Sequence, residues 1–334
     1  MHLKLCQPYN FFNIKGFKFM PNDNTSDIKE VQKEEAKFFN SIAEIRTKDG
    51  HVPMEADIRS ATKFIPKKDE RLPLIDPVIS KILDGGNIDR YLDLVAHKPG
   101  GRVLDICCGS GWLSLELARR GQIVDAYDLS PEAISLAKKT LAKNSHKKGF
   151  GAINYNVGDV SEVDLGNKKY DAISGWAAFH HLPDPSDFIS RANVALKEGG
   201  IIATYDDLEM GKIEKFLELS LRFILPQIHY SYLDKISILF KLLTTKRKLP
   251  EEIFSPMEEA KHHSVEDITR IFKQKFKVLY FNQKNAFVGT PIMTMSGSDK
   301  FRYTLARVLV FIDRLLCKIK IVKGFDQIIV AKKK

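Results

Sequence analysis

Between Arg102 and Tyr205 the chain alternates short apolar runs with stretches of helical spacing, and nothing else in its 334 residues constrains the fold as tightly. Residues 102–106, 123–127, 153–157, 170–174 and 200–205 read as strands, and 111–120 and 185–196 as helices. Gly121 stops the first helix, as glycine does after a last helical turn. Ser130-Pro131-Glu132 opens another, with a capping hydroxyl and a proline at the first helical position. Strand, helix, strand at this spacing demands parallel strands joined by right-handed crossovers, with helices on both faces of the sheet. The expected class is α/β.

The flanks are built differently. Residues 1–26 read as a loose leader, and 27–46 as a helix with Ile28, Val31, Ala36, Phe39, Ile42 and Ile45 on one face. Two short helices are expected at 73–83 and 88–95, before a turn at Pro99-Gly100-Gly101. After Asp207 the alternation lapses, and 213–225 and 236–243 have apolar helical spacing. It resumes with a helix at 265–274 and strands at 276–281 and 325–330, separated by a second insertion containing 300–320. The expected organisation is a leader and helical extension (1–98), a core (99–207), a helical cap insertion (208–263), and the end of the core sheet (264–334). That last part is interrupted by a basic amphipathic insertion at about 285–322.

Composition removes several classes. No run approaches 18 apolar residues, so no membrane-spanning helix is expected. The N-terminus mixes aromatic and basic residues without the continuous apolar core of a signal peptide. Four cysteines, two of them the adjacent Cys107 and Cys108, make neither a disulfide framework nor a zinc spacing. A cytoplasmic protein with reduced thiols is the expectation. The net charge of +10 is lopsided: residues 208–334 hold 24 Lys/Arg against 13 Asp/Glu, which exceeds the whole surplus. Such asymmetry points to an anionic partner, whether a membrane surface, nucleic acid or a phosphate-bearing substrate.

The chemistry begins at Val103-Leu104-Asp105-Ile106-Cys107-Cys108-Gly109-Ser110-Gly111, a strand end that opens a helix. Gly109 and Gly111 permit a tight turn and close backbone approach to a ligand, and the helix beyond presents free N–H groups. Three carboxylates stand at three strand ends around that turn. Asp128 follows Gly111 by 17 residues, where it can accept from both hydroxyls of a ribose. Asp159 suits an exocyclic adenine amine, and Asp105 an ammonium. A nicotinamide dehydrogenase would use the same glycines and Asp128, but it leaves Asp105 and Asp159 without a role.

Residues 102–205 resemble the core of class I S-adenosylmethionine (SAM)-dependent methyltransferases, in particular the ubiquinone and menaquinone methyltransferase-like, type 11 branch. Leu104 to Gly111 resembles its cofactor loop, Asp128-Leu129-Ser130-Pro131-Glu132 its ribose turn, and Phe179-His180-His181-Leu182 the loop after its fourth strand. Leu196-Lys197-Glu198-Gly199-Gly200 resembles the turn into its fifth. The resemblance implies a Rossmann-like, seven-stranded, mostly parallel sheet whose last strand is antiparallel. It implies SAM as cofactor, held by Asp105, Cys107, Gly109, Gly111, Asp128, Leu129, Asp159, Val160 and Trp176. Cys107 departs from the family, which most often has glycine there.

Methyl transfer from a sulfonium mainly requires the acceptor to be held in line about 3 Å from the methyl carbon. A base is needed only when the acceptor must shed a proton, and His181, His180 and His263 are the candidates. Glu259, His262 and His263 carry no metal-ligand signature, so no metal is expected. In 300–320, Phe301, Leu305, Val308, Ile312, Leu315 and Ile319 fall on one stripe and Lys300, Arg307, Arg314 and Lys318 on another. Packing of the apolar stripe on the body is the default expectation, and peripheral contact with an anionic membrane the alternative. Together with the first insertion, this points to a small-molecule or lipid-like acceptor. The chain lacks a recognisable RNA-binding module and the Asn/Asp-Pro-Pro-aromatic motif after its fourth strand, which counts against nucleic acid. RNA or protein methylation and a non-catalytic SAM-binding role are the remaining alternatives.

Overall fold

The computed structural model describes residues 28–49, 76–144, 148–228, 230–245, 255–256 and 264–334. The leader at 1–26 and His262 and His263 lie outside the described residues. Seven strands form one sheet in the order β3-β2-β1-β4-β5-β7-β6. They are β1 (Arg102–Ile106), β2 (Ile123–Asp128), β3 (Ala152–Val157), β4 (Tyr170–Trp176), β5 (Leu196–Asp207), β6 (Phe276–Lys284) and β7 (Asp326–Lys333). β1 pairs in parallel with β2 and β4, β2 with β3, and β4 with β5. β7 runs antiparallel between β5 and β6. The expected seven-stranded Rossmann-like sheet is therefore present, its antiparallel last strand included.

The strands bury both faces because helices cover both. Val103 points into a layer made by α3 (Asn87–Val95), α4 (Trp112–Arg119) and α5 (Pro131–Asn144). Its neighbours Leu104 and Ile106 point the other way, against α6 (Pro185–Ala195) and α9 (Val265–Lys275). Two-sided burial explains why apolar residues stand side by side in β1 and β4, as at Val103-Leu104 and Ala172-Ile173, instead of strictly alternating.

A third apolar cluster lies outside this sandwich. It joins α2 (Pro77–Asp84) to α10 (Gly289–Met293) and α11 (Asp299–Lys318), with Leu217 and Leu221 of α7 (Lys212–Ile224), the helix before α8 (Tyr232–Thr245), packed against it. Here the expectation for the C-terminal helix fails. α11 packs through Ala306, Val310 and Asp313, whereas Phe301, Val308, Ile312 and Leu315 of the sequence stripe face solvent. Asp313 explains the inversion: its Oδ1 accepts from the Phe287 amide at 3.1 Å, anchoring a polar position inward. Periodicity identified an apolar stripe correctly but not which of two such stripes the body would cover.

Candidate functional site

β1 and β4 are neighbours whose outgoing connections run in opposite directions, and such a switch point leaves a crevice at the carboxyl ends of the strands. The β1 loop fills its rim. Cys107 adopts φ 49° and Gly109 φ 54°, both in the left-handed region, so the chain turns sharply away from the strand. A cysteine there costs roughly 1–2 kcal/mol relative to an unstrained backbone, and the family's glycine would not. Asp128, at the end of β2, pins the turn: its Oδ2 accepts from Gly109 N at 2.7 Å and its Oδ1 from Ser130 N at 2.8 Å. Ser130 in turn caps α5, accepting from Ala133 N at 3.0 Å. The two glycines serve different ends. A Cβ at Gly111 would collide with the Tyr155 ring and Ala137, whereas one at Gly109 would meet nothing within 4 Å. Gly111 thus allows close packing, and Gly109 leaves the loop open for a ligand.

Asp105 is buried at the foot of this loop. Its Oδ2 accepts from Ser114 Oγ at 2.5 Å, while its Oδ1 is buried without a hydrogen-bond partner. Burial pushes its carboxyl up to about 7; the Ser114 bond works against this and the nearby charge of Asp128 adds to it. A buried carboxylate oxygen with no partner is costly, and a cationic donor delivered by a ligand would relieve that cost. At the end of β3, Asp159 Oδ1 accepts from Ser161 N at 2.8 Å and from its hydroxyl at 2.5 Å. Trp176, at the end of β4, stacks on Tyr205 at 3.7 Å and meets Trp112 edge-on at 4.8 Å, making an apolar floor. Val160 is buried in the second cluster and Leu129 is half-buried beside Asp128.

The adjacent histidines have separate partners. His180 Nδ1 lies 3.1 Å from Oδ1 of Asp206, a fully buried residue near the end of β5. Thr204 donates its hydroxyl to the other oxygen of Asp206. A carboxylate at that distance favours the Nδ1–H tautomer of the ring. His181 Nδ1 instead lies 2.8 Å from Glu35 Oε1 and 3.4 Å from Ser255 Oγ, and the ring meets Phe39 edge-on.

Glu35 belongs to α1 (Ile28–Asp49), which lies across the crevice. Gln32 donates to Asp159 Oδ2 at 2.6 Å, and Phe39, Ile42 and Ala43 close over Gly109, Ser110 and Asp128. The cavity left beneath them is about 20 Å³, room for a water molecule and far short of a nucleoside. A nucleoside does not fit that space with α1 in this position.

The structure thus gathers Asp105, Cys107, Gly109, Gly111, Asp128, Leu129, Asp159, Val160, Trp176, His180 and His181 at one sheet edge, and His263 lies outside the described residues. Sequence reasoning missed Gln32 and Glu35. One signal was available: Glu35 shares a face with Val31, Phe39 and Ile42, and a carboxylate within an apolar stripe needs a partner.

The sequence model of a family described as a methyltransferase domain matches residues 81–238. The chain is similar to the ubiquinone biosynthesis O-methyltransferase of Xanthomonas campestris pv. campestris, 35% identical over 115 residues, covering 33% of this chain and 46% of that protein. It is also similar to the Coxiella burnetii protein of the same name, 32% identical over 129 residues, covering 39% and 49%. The chain spans about half the length of the curated relatives it matches. Among solved structures, the [4+2]-cyclase SpnF shares the fold with a TM-score of 0.50 at 14% identity, covering 91% of this chain and 96% of that one. Sheet order and cofactor loop agree with the match of residues 81–238 to the methyltransferase-domain model.

Proposed function

We propose that this chain transfers the methyl group of SAM to a hydroxyl of a small, lipid-like acceptor. The observation that carries the reading is the His180–Asp206 pair, set at the same sheet edge as the glycine loop and its three carboxylates. When bound, SAM supplies a methyl carbon made electrophilic by its sulfonium. Asp128 accepts from the ribose hydroxyls, Asp159 from the adenine amine once Gln32 releases it, and Asp105 Oδ1 receives the ammonium. A hydroxyl acceptor must lose its proton as the new bond forms, and His180 Nε2 takes it, with Asp206 steadying the imidazolium. The names of the O-methyltransferase relatives support an oxygen acceptor, and the apolar floor at Trp176 supports an apolar one.

Incubation with methyl-labelled SAM and a prenyl-substituted catechol, alongside total RNA and cell protein, tests the reading. Label is expected in the organic phase. Label in RNA or protein, or none anywhere with cofactor binding intact, would overturn it.

The cofactor side has its own signature. Asp105 titrates near 7 in the free protein, so below that pH an ammonium must displace its proton in order to bind. Affinity for S-adenosylhomocysteine (SAH) is therefore expected to rise up to about tenfold per pH unit below 7 and to level off above it. Calorimetry across pH checks this, and Asp105→Asn should flatten the profile.

A further inference from the structure

α11 has two apolar sides where an ordinary surface helix has one. Ala306, Val310 and Asp313 face the third cluster, and on the opposite side Phe301, Val308, Phe311, Ile312 and Leu315 are 42–68% exposed. Ile319 and Ile321 continue that exposed side beyond the helix end. α7 repeats the pattern on the same cluster. Leu217 and Leu221 pack inward, while Ile213, Phe216, Leu219, Phe223 and Ile224 are exposed. Glu214 Oε1 accepts from Lys323 N at 2.8 Å, which ties α7 to the segment following α11.

Scattered apolar residues on a surface need no explanation, but two helices carrying second apolar faces do. Basic residues border them: Lys300, Arg307, Lys318 and Lys320 along α11 and its end, and Lys212 and Lys215 on α7, all exposed. On the α11 helical wheel, Lys300, Arg307 and Lys318 fall together along one flank of the exposed stripe, next to Phe311. They belong to the segment that carries the chain's entire positive surplus.

We propose that the outward faces of α11 and α7 form a docking surface for an anionic lipid bilayer. Large aliphatic and aromatic side chains enter the boundary between headgroups and acyl chains, and the flanking Lys and Arg meet the phosphates. The contact is peripheral, since among the described residues no helix is long and apolar enough to cross a membrane. A second copy of the chain would cover the apolar stripes, but it would bring cations against cations. An anionic bilayer satisfies both. The surface lies apart from the cofactor crevice, so its failure would leave the methyl-transfer reading standing.

Flotation with vesicles of phosphatidylcholine, alone or mixed with phosphatidylglycerol, tests the surface. Binding to the mixed vesicles is expected to be roughly tenfold or more above binding to the neutral ones, and to fall with added salt. Phe311→Ser with Leu315→Ser should abolish binding, and Lys300→Glu with Lys318→Glu should remove the preference for anionic lipid. Both side-chain pairs are solvent-facing, and retained SAH binding verifies that each variant is folded. Equal binding to both vesicle types, or wild-type behaviour in the Phe311/Leu315 variant, would overturn the proposal. So would a wild-type dimer, detected by light scattering, that this variant converts to a monomer without any vesicle binding.

Discussion

Replacing His180 with alanine is expected to lower methyl transfer by roughly 10²- to 10⁴-fold, the usual contribution of a positioned base, while SAH affinity stays unchanged. The expectation follows from position. Asp206 is fully buried and spends one oxygen on the Thr204 hydroxyl and the other on His180 Nδ1, so the ring is held in one tautomer at the crevice edge. Asp206→Asn should then reproduce part of the loss, because an amide can turn its nitrogen toward Nδ1 and favour the wrong tautomer. His181→Ala provides the contrast. Its ring is engaged by Glu35, Ser255 and Phe39, so its loss should loosen α1 and appear in cofactor binding. An unchanged rate in His180→Ala, or an equal loss in His181→Ala with SAH binding intact, would place the base elsewhere.

Asp128→Ala should weaken SAH binding at least tenfold. Each charge-assisted bond to a ribose hydroxyl is worth about 1.5–3 kcal/mol, and Asp128 also holds the amides of Gly109 and Ser130 in the loop. Removing it would delete the proposed ribose contacts and loosen the turn that Asp128 holds. Asp128→Asn keeps one acceptor oxygen and should fall between the two. Calorimetric titration of SAH, with NAD as the competing nucleotide, reads the effect. Undiminished SAH binding in the alanine variant would remove Asp128 from the ribose site, and preference for NAD would return the loop to the dehydrogenases.

Much of the core is legible in the sequence. β1 and the start of β2 fall where their apolar runs place them, α9 begins at Val265 as its spacing predicts, and Ser130 caps α5 as its sequence foretells. These signals are local: a cap, a proline or a glycine acts within one turn of itself. The strand-end carboxylates were legible for a related reason. In a parallel sheet every strand leaves at the same edge, so residues that follow successive strands must meet there. Less was visible at the ends of β5, which runs from Leu196 to Asp207 instead of 200–205 because pairing with β4 and β7 extends it.

The sequence by itself determined the α/β sheet, the glycine loop and which edge the carboxylates share, since each follows from short-range propensity and chain direction. Only the tertiary structure decided three further things. It paired His180 with Asp206 and His181 with Glu35. It laid α1 across the crevice, with Gln32 bonded to Asp159, 127 positions further along the chain. It also turned the basic-flanked apolar stripe of α11 outward. In each case the sequence offers several chemically equivalent partners or faces, and the choice among them depends on which surfaces the folded body brings within a few ångströms of one another.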